Sequence, residues 1–375
     1  MNETTADARW DDLAEHLADR LLVAAQDRVS IFLNDAAALP AAHALMRVAL
    51  RRGAGVQTVY QPELADTEEI AHSTIEQIAE PPAVEVAAMQ WSTVHVSFRA
   101  MLWPTASDSD RPEDFPERLA AQRQAKGAIS TLRWKNTRWA IARVPTPQWA
   151  SEIGVPSEVL LDEFFAGALD DWDSAKGRWQ SVCDAIDAGD AVTITSPDTN
   201  LRLGISGRTA ALFAGEANLP DGEVATAPVD DQVDGHITFP GVTVFAGEVF
   251  ENLFLRFEAG RVVEVRADRG AEVAQALIDT DEGSHRVGEL GIGLSSTVQQ
   301  WTGDLFIDEK ILGTVHIALG RAYPQCGGVN ESTLHWDIVK DLRVGAAGGA
   351  GAMAIDGRPI VEDGHIVWPG LAPAQ

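Results

Sequence analysis

Apolar positions recur along the first half of the chain with two alternating periods. Between residues 5 and 26, Trp10, Leu13, Leu17, Leu21 and Leu22 return at helical spacing among charged positions, which predicts an amphipathic helix. Four runs then read as strands: RVSIFLN (28–34), GVQTVY (55–60), STVHVSF (92–98) and RWAIARV (138–144). Helical stretches separate them, through AAHALMRVALRR, around 63–79 and near 112–126. Strands alternating with helices of this length predict a parallel, helix-covered sheet. No G-x-G-x-x-G follows any of the strands, so nothing supports a dinucleotide site.

PTPQWASEIGVP (145–156) reads as a turn opening a short helix, and SEVLLDEFFAGALDD and DSAKGRWQSVCDAIDAG continue the helical pattern. After Gly189 the texture changes. DAVTITSPD, NLRLGISG, GHITFPG and the pair EVFENLFLRFEAG and RVVEVRADRG read as strands with Gly-centred turns, and DGRPIVEDGHIVW as a hairpin. GAAGGAGAM (345–353) reads as a tight loop. The expectation is an α/β N-terminal domain over 1–188, followed by a strand-rich α+β catalytic domain over 189–375. A chain of 375 residues is long for one core, which agrees with two domains.

Composition narrows the class of protein. Lys and Arg number 29 against 56 Asp and Glu, a formal net charge of −27. Such a chain is repelled by phosphate backbones and anionic lipid, so neither nucleic acid nor a membrane surface is an expected partner. Cys183 and Cys326 are the only cysteines and form no C-x-x-C, which leaves no disulfide framework or thiolate zinc site. The first residues lack a basic start and an apolar core, and no apolar run approaches the ~18 residues of a membrane helix. The expectation is a soluble, cytoplasmic protein.

Candidate chemistry concentrates in GTVHIALGRAYPQCGGVNESTLHWD (313–337). On a strand, His335 and Asp337 share a face and Trp336 takes the other. His316 ends an earlier apolar run, and the intervening glycines allow the chain to reverse and bring the two strands close. These nitrogen and oxygen donors suit zinc, cobalt, manganese or iron. Two glutamates stand in conspicuous settings: Glu223 in the Pro- and Gly-bounded loop EANLPDGEVATAP, and Glu289 in the apolar HRVGELGIG. A buried carboxylate there needs a counter-charge that a cation would supply. On composition alone, each is equally an exposed turn acid among the 56 acidic residues. Arg321 and Lys310 are cations nearby that could hold a substrate carbonyl or neutralise acids. His16, His43 and His72 fall in helices, His95 on a strand, and His236 and His285 lie near the motifs.

ANLPDGEVATAP, VGELGIG, FIDEKILGTVHIALGRAYP, GGVNESTLHWDIVKDLR and DGRPIVEDG occur in this order, with RWAIARVPTPQWA and SPDTNLRLGISGR upstream. Together they resemble the M29 family of metallo-aminopeptidases, the aminopeptidase T and aminopeptidase S group. The resemblance implies a two-metal enzyme that removes N-terminal residues from short peptides or aminoacyl amides by a metal-bound hydroxide. Motif by motif it implies Glu223, Glu289, His316, His335 and Asp337 as ligands of two divalent ions (zinc, cobalt or manganese). It implies Tyr323 as the catalytic tyrosine and allows Glu289 a share in proton transfer. It also implies a homodimer. Two departures accompany it: a short stretch between Tyr323 and His335, and Ser295 where the related pattern has Asn.

Two other chemistries fit part of the same residues. His316, His335 and Asp337 alone would satisfy the two-His, one-carboxylate triad of a mononuclear iron ring-cleaving dioxygenase of the hydroxypyridine type. Glu223 and Glu289 argue instead for two metals and hydrolysis. A metal-dependent amide hydrolase acting on a non-peptide conjugate keeps the metals and changes the substrate.

Overall fold

A computed structural model describes residues 7–104 and 111–368, which form two compact units. In the first, α1 (Arg9–Arg20) buries Trp10, Leu13 and Leu17 as its spacing predicts. Positions 5 and 6 of the expected helix lie outside the described residues. β1 (Arg28–Leu33), α2 (Leu39–Arg51) and β2 (Gly55–Tyr60) follow. The helix expected around 63–79 is two, α3 (Glu63–His72) and α4 (Ile75–Ile78), because Thr74 and Gln77 form a capping box that starts a new helix. Then come α5 (Ala83–Trp91), not foreseen in the sequence, β3 (Val94–Ala100), α6 (Phe115–Asn136), β4 (Arg138–Val144), α7 (Pro147–Glu152) and α8 (Ser157–Ala168). Strands β2, β1, β3 and β4 are parallel neighbours in that order, covered by helices as expected. Val29, Ile31, Val96, Phe98 and Ala142 meet Leu13, Leu17, Leu45 and Val48 in its core.

The second unit begins at Asp171, before the change of texture at 188/189 that the sequence suggests. The physical reason is that α9 (Trp172–Asp187) packs on strands of this unit. The chain continues through β5 (Ala191–Ser196), β6 (Thr199–Gly204) and β7 (Ala211–Phe213). It then returns to the first unit for β8 (Asn218–Leu219), a parallel edge strand beside β4. So short a segment carries no periodicity to reveal it.

From Gly222 onward the chain stays in the second unit. Its strands are β9 (Glu223–Thr226), β10 (Val233–Phe245), β11 (Glu248–Glu258) and β12 (Arg261–Arg266). After α10 (Ala271–Ile278) come β13 (Val287–Gly293), α11 (Leu305–Asp308), β14 (Thr314–Gly320) and β15 (His335–Asp341). The last three are β16 (Ala352–Ile355), β17 (Arg358–Glu362) and β18 (His365–Ile366), with the small-residue loop ending at Gly351. One antiparallel sheet has eight strands, β12-β11-β10-β6-β5-β16-β17-β18, and the other has five, β15-β14-β13-β9-β7. The five-stranded sheet carries the candidate chemistry. Among the described residues, no helix is long and apolar enough to cross a membrane.

Candidate metal centre

Strand register brings residues from four segments onto one face of the five-stranded sheet. On β13, Glu289, Gly291 and Gly293 alternate to the same side. Ala318 pairs with Glu289 and with Asp337, His316 pairs with Gly291, Glu223 pairs with Gly293, and His335 pairs with Gly320. The acids and imidazoles therefore run diagonally across the face, and the positions between them are Gly or Ala. Trp336 points the other way and stacks on Phe245 at 5.2 Å, which anchors the H-W-D strand in the core.

Two of these small residues are required. A Cβ on Gly291 would lie 2.1 Å from His316 Cε1 and 2.3 Å from its Nε2, so the imidazole occupies the space that a side chain would fill. A Cβ on Gly293 would lie 2.2 Å from the Ile311 carbonyl and 2.7 Å from that of Glu309. Its absence lets the turn after α11 settle on the sheet and deliver Glu309 and Lys310 to the same face.

The side chains form two adjoining clusters, each able to hold a metal ion: Glu223, Glu309 and His316, and Glu289, His335 and Asp337. In the first, His316 Nε2 lies 3.6 Å from Glu223 Oε2, and Lys310 Nζ lies 2.7 Å from both Glu223 Oε1 and Glu309 Oε1. In the second, His335 Nε2 lies 3.2 Å from Glu289 Oε2 and 3.4 Å from Asp337 Oδ1. Glu289 joins the two, because its Oε1 is also 3.6 Å from His316 Nε2. The first cluster is sealed, whereas the His335 and Asp337 side chains retain 19% and 13% of their exposure. The second cluster is therefore the less enclosed of the two.

The donor set fits divalent metal. Glu223 Oε2, Glu289 Oε2 and Asp337 Oδ1 are buried and accept no well-formed hydrogen bond. Buried acceptors in that condition are costly, and a cation among them removes the cost. His335 Nδ1 is 3.0 Å from the Arg321 carbonyl, which fixes the ring with Nε2 towards the carboxylates.

Charge coupling within the centre is strong. Burial pushes the Glu289 carboxyl up, but the His316 and His335 imidazoles outweigh it and hold it at about 2. Burial lowers His316, and Glu289, Glu223 and Glu309 overcome it, to about 10. His335 is likewise lowered by burial and raised by Asp337 and Glu289, to about 9. Burial also raises Glu309 well above the carboxylate range, against the pull of Lys310. Tyr323, its ring 5.6 Å from that of His335, is pushed well above its ordinary value by burial and by Glu289 and Asp337. It stays protonated, a hydrogen-bond donor beside the clusters.

All five ligand candidates and Tyr323 thus lie in one neighbourhood. Glu223 is not in a loop as its surroundings in sequence suggest: it opens β9, a fully buried strand, because the proline and glycine before it end the turn. Glu309 was not singled out from the sequence; its only signal is its place in D-E-K shortly before G-T-V-H. Ser295 Oγ pairs with Thr297 Oγ1 at 3.0 Å. The other histidines considered in the sequence have other partners or positions: His95 Nδ1 is 2.9 Å from Ser30 Oγ, His236 stacks on Phe254 and His285 pairs with Asp279. His16, His43 and His72 lie on α1, α2 and α3.

The carboxylate–imidazole centre could hold divalent metal, and the family match gives the class of protein. Residues 7–365 match the thermophilic metalloprotease (M29) family, and the chain belongs to it. It is a metallopeptidase, and its family works with divalent metal. The chain is similar to aminopeptidase T of Thermus thermophilus, 28% identical over 340 residues, covering 78% of this chain and 82% of that one. The solved structure of wild-type AmpT from Thermus thermophilus matches with a TM-score of 0.74 and 25% identity, covering 96% of this chain and 99% of the other. A 2,5-dihydroxypyridine dioxygenase from Pseudomonas putida KT2440 matches with a TM-score of 0.57 at 16% identity, over 97% and 99% of the two chains, a likeness of fold alone.

Proposed function

We propose that this chain is an aminopeptidase that removes N-terminal residues from short peptides at a centre of two divalent ions. The observation that carries the reading is the pair of clusters joined by Glu289, in a chain of the M29 family. Glu223, Glu309 and His316 would hold one ion, and Glu289, His335 and Asp337 the other, with zinc, cobalt and manganese all suited to these donors. When bound, such ions polarise a peptide carbonyl and lower the pKa of water.

The chain's own residues supply the rest. Tyr323 keeps its proton and donates a hydrogen bond to the carbonyl oxygen as negative charge develops there. Glu289, deprotonated and in contact with both imidazoles, is placed to accept a proton from the attacking water and deliver it to the leaving amine. Asp337, at the exposed side of the centre, offers a carboxylate to the substrate's cationic α-amine. The M29 resemblance also carries a homodimer into the proposal, and the reading of the sequence a cytoplasmic setting; light scattering tests the first and fractionation of the source cells the second.

The test is a panel of aminoacyl amides, short peptides, their N-acetylated forms and non-peptide amide conjugates, assayed with each metal. Turnover of free-amine substrates and none of the acetylated ones is the expected result. Cleavage confined to non-peptide conjugates would replace aminopeptidase with amide hydrolase.

A further inference from the structure

The ligand candidates surround a lysine with no route to solvent. Lys310 is fully buried, with its Nζ 2.7 Å from Glu223 Oε1 and 2.7 Å from Glu309 Oε1. Its main chain is fixed as well: the Lys310 carbonyl accepts from Ser295 N at 2.8 Å, and the turn that carries it rests on Gly293. Both ion pairs use Oε1 atoms. Glu223 Oε2 remains, without a well-formed hydrogen bond and directed at His316 Nε2. The ammonium thus grips the outer oxygens of two acids and leaves an inner oxygen for the metal position.

The ammonium of Lys310 lies between the two buried acids, and without it their carboxyl groups would face each other away from water with no cation between them. Removing one partner of such an arrangement is far more disruptive than replacing the set. We propose that Lys310 is a resident counter-cation and positioning residue. It keeps Glu223 and Glu309 together and oriented while the centre is metal-free, a task that a divalent ion shares once it binds. This rests on the two-metal reading of the site. Without Lys310, stability becomes dependent on metal.

The experiment compares melting temperatures of chelator-treated and zinc-loaded protein for the wild type, Lys310→Met and Glu309→Gln/Lys310→Met. In the metal-free state Lys310→Met should melt roughly 5–15 °C below wild type. Zinc should close at least half of that gap. The double variant, which removes both partners of the Lys310–Glu309 contact, should recover at least half of the loss without metal. A Lys310→Met protein that is soluble only with zinc counts the same way. An equal gap with and without zinc, no gap at all, or a double variant no better than the single one would overturn the proposal. So would a single variant insoluble under both conditions. If the wild type binds two zinc ions while the gap stays constant, only the role of Lys310 fails. If the wild type neither binds zinc nor gains stability from it, the metal reading fails too.

Discussion

Glu289 is the residue on which the centre turns, since its two oxygens face different imidazoles at 3.6 and 3.2 Å. Glu289→Ala should therefore abolish peptidase activity and reduce bound metal below that of any other single ligand variant, measured by elemental analysis after gel filtration. Retention of near-full metal would remove it from the joining position. Tyr323 makes a different prediction, because it lies beside the clusters and is not one of their members. Tyr323→Phe should lower kcat about 10²–10³-fold, the usual cost of losing one donor to a developing oxyanion, with metal content unchanged. A change confined to KM would mean that the hydroxyl binds ground-state substrate and nothing more.

At the scale of elements, the centre is a consequence of strand register. Glu289, Gly291 and Gly293 on β13 create alternating acid and space, and His316 fills the space at Gly291. Gly291→Ala should displace the imidazole, lower bound metal and reduce activity, at an overpacking cost of about 1–3 kcal/mol that leaves the fold intact by circular dichroism. Wild-type metal content in that variant would show that the strands part without disturbing His316. The H-x-D alternation and the reversal between His316 and His335 were legible because period 2 is a local property. Glu223 and Glu309 were harder for opposite reasons. Glu223 sits after turn-forming residues that disguise a short buried strand. Glu309 reaches the face through a turn whose docking depends on a glycine in another strand, a tertiary fact that no local pattern carries.

At the scale of the whole molecule, the parallel and antiparallel parts followed from alternation and from the strand-rich texture after Gly189. The crossing of the chain at β8 and the allegiance of α9 did not, since packing partners decide both. Stability should also carry the mark of the centre. His316 and His335 have metal-free values raised to about 10 and about 9, against ~6.5 in an unfolded chain. Their contribution is full below ~6.5 and is lost as pH rises through 9–10. Glu289, held at about 2, contributes above ~4.3 and loses that contribution as pH falls towards 2. Chelator-treated protein should thus melt progressively lower from pH 7 to 10, and zinc-loaded protein much less so, because metal-bound imidazoles are already neutral. Parallel profiles for the two forms would contradict this assignment of the histidines.

A dinuclear peptidase centre is tested by metal stoichiometry measured on the same sample as peptide turnover. Two divalent ions per chain, and cleavage of free-amine peptides in proportion to their occupancy, are the expected result. One iron per chain, with no peptide cleaved, would contradict it and restore the ring-cleaving alternative.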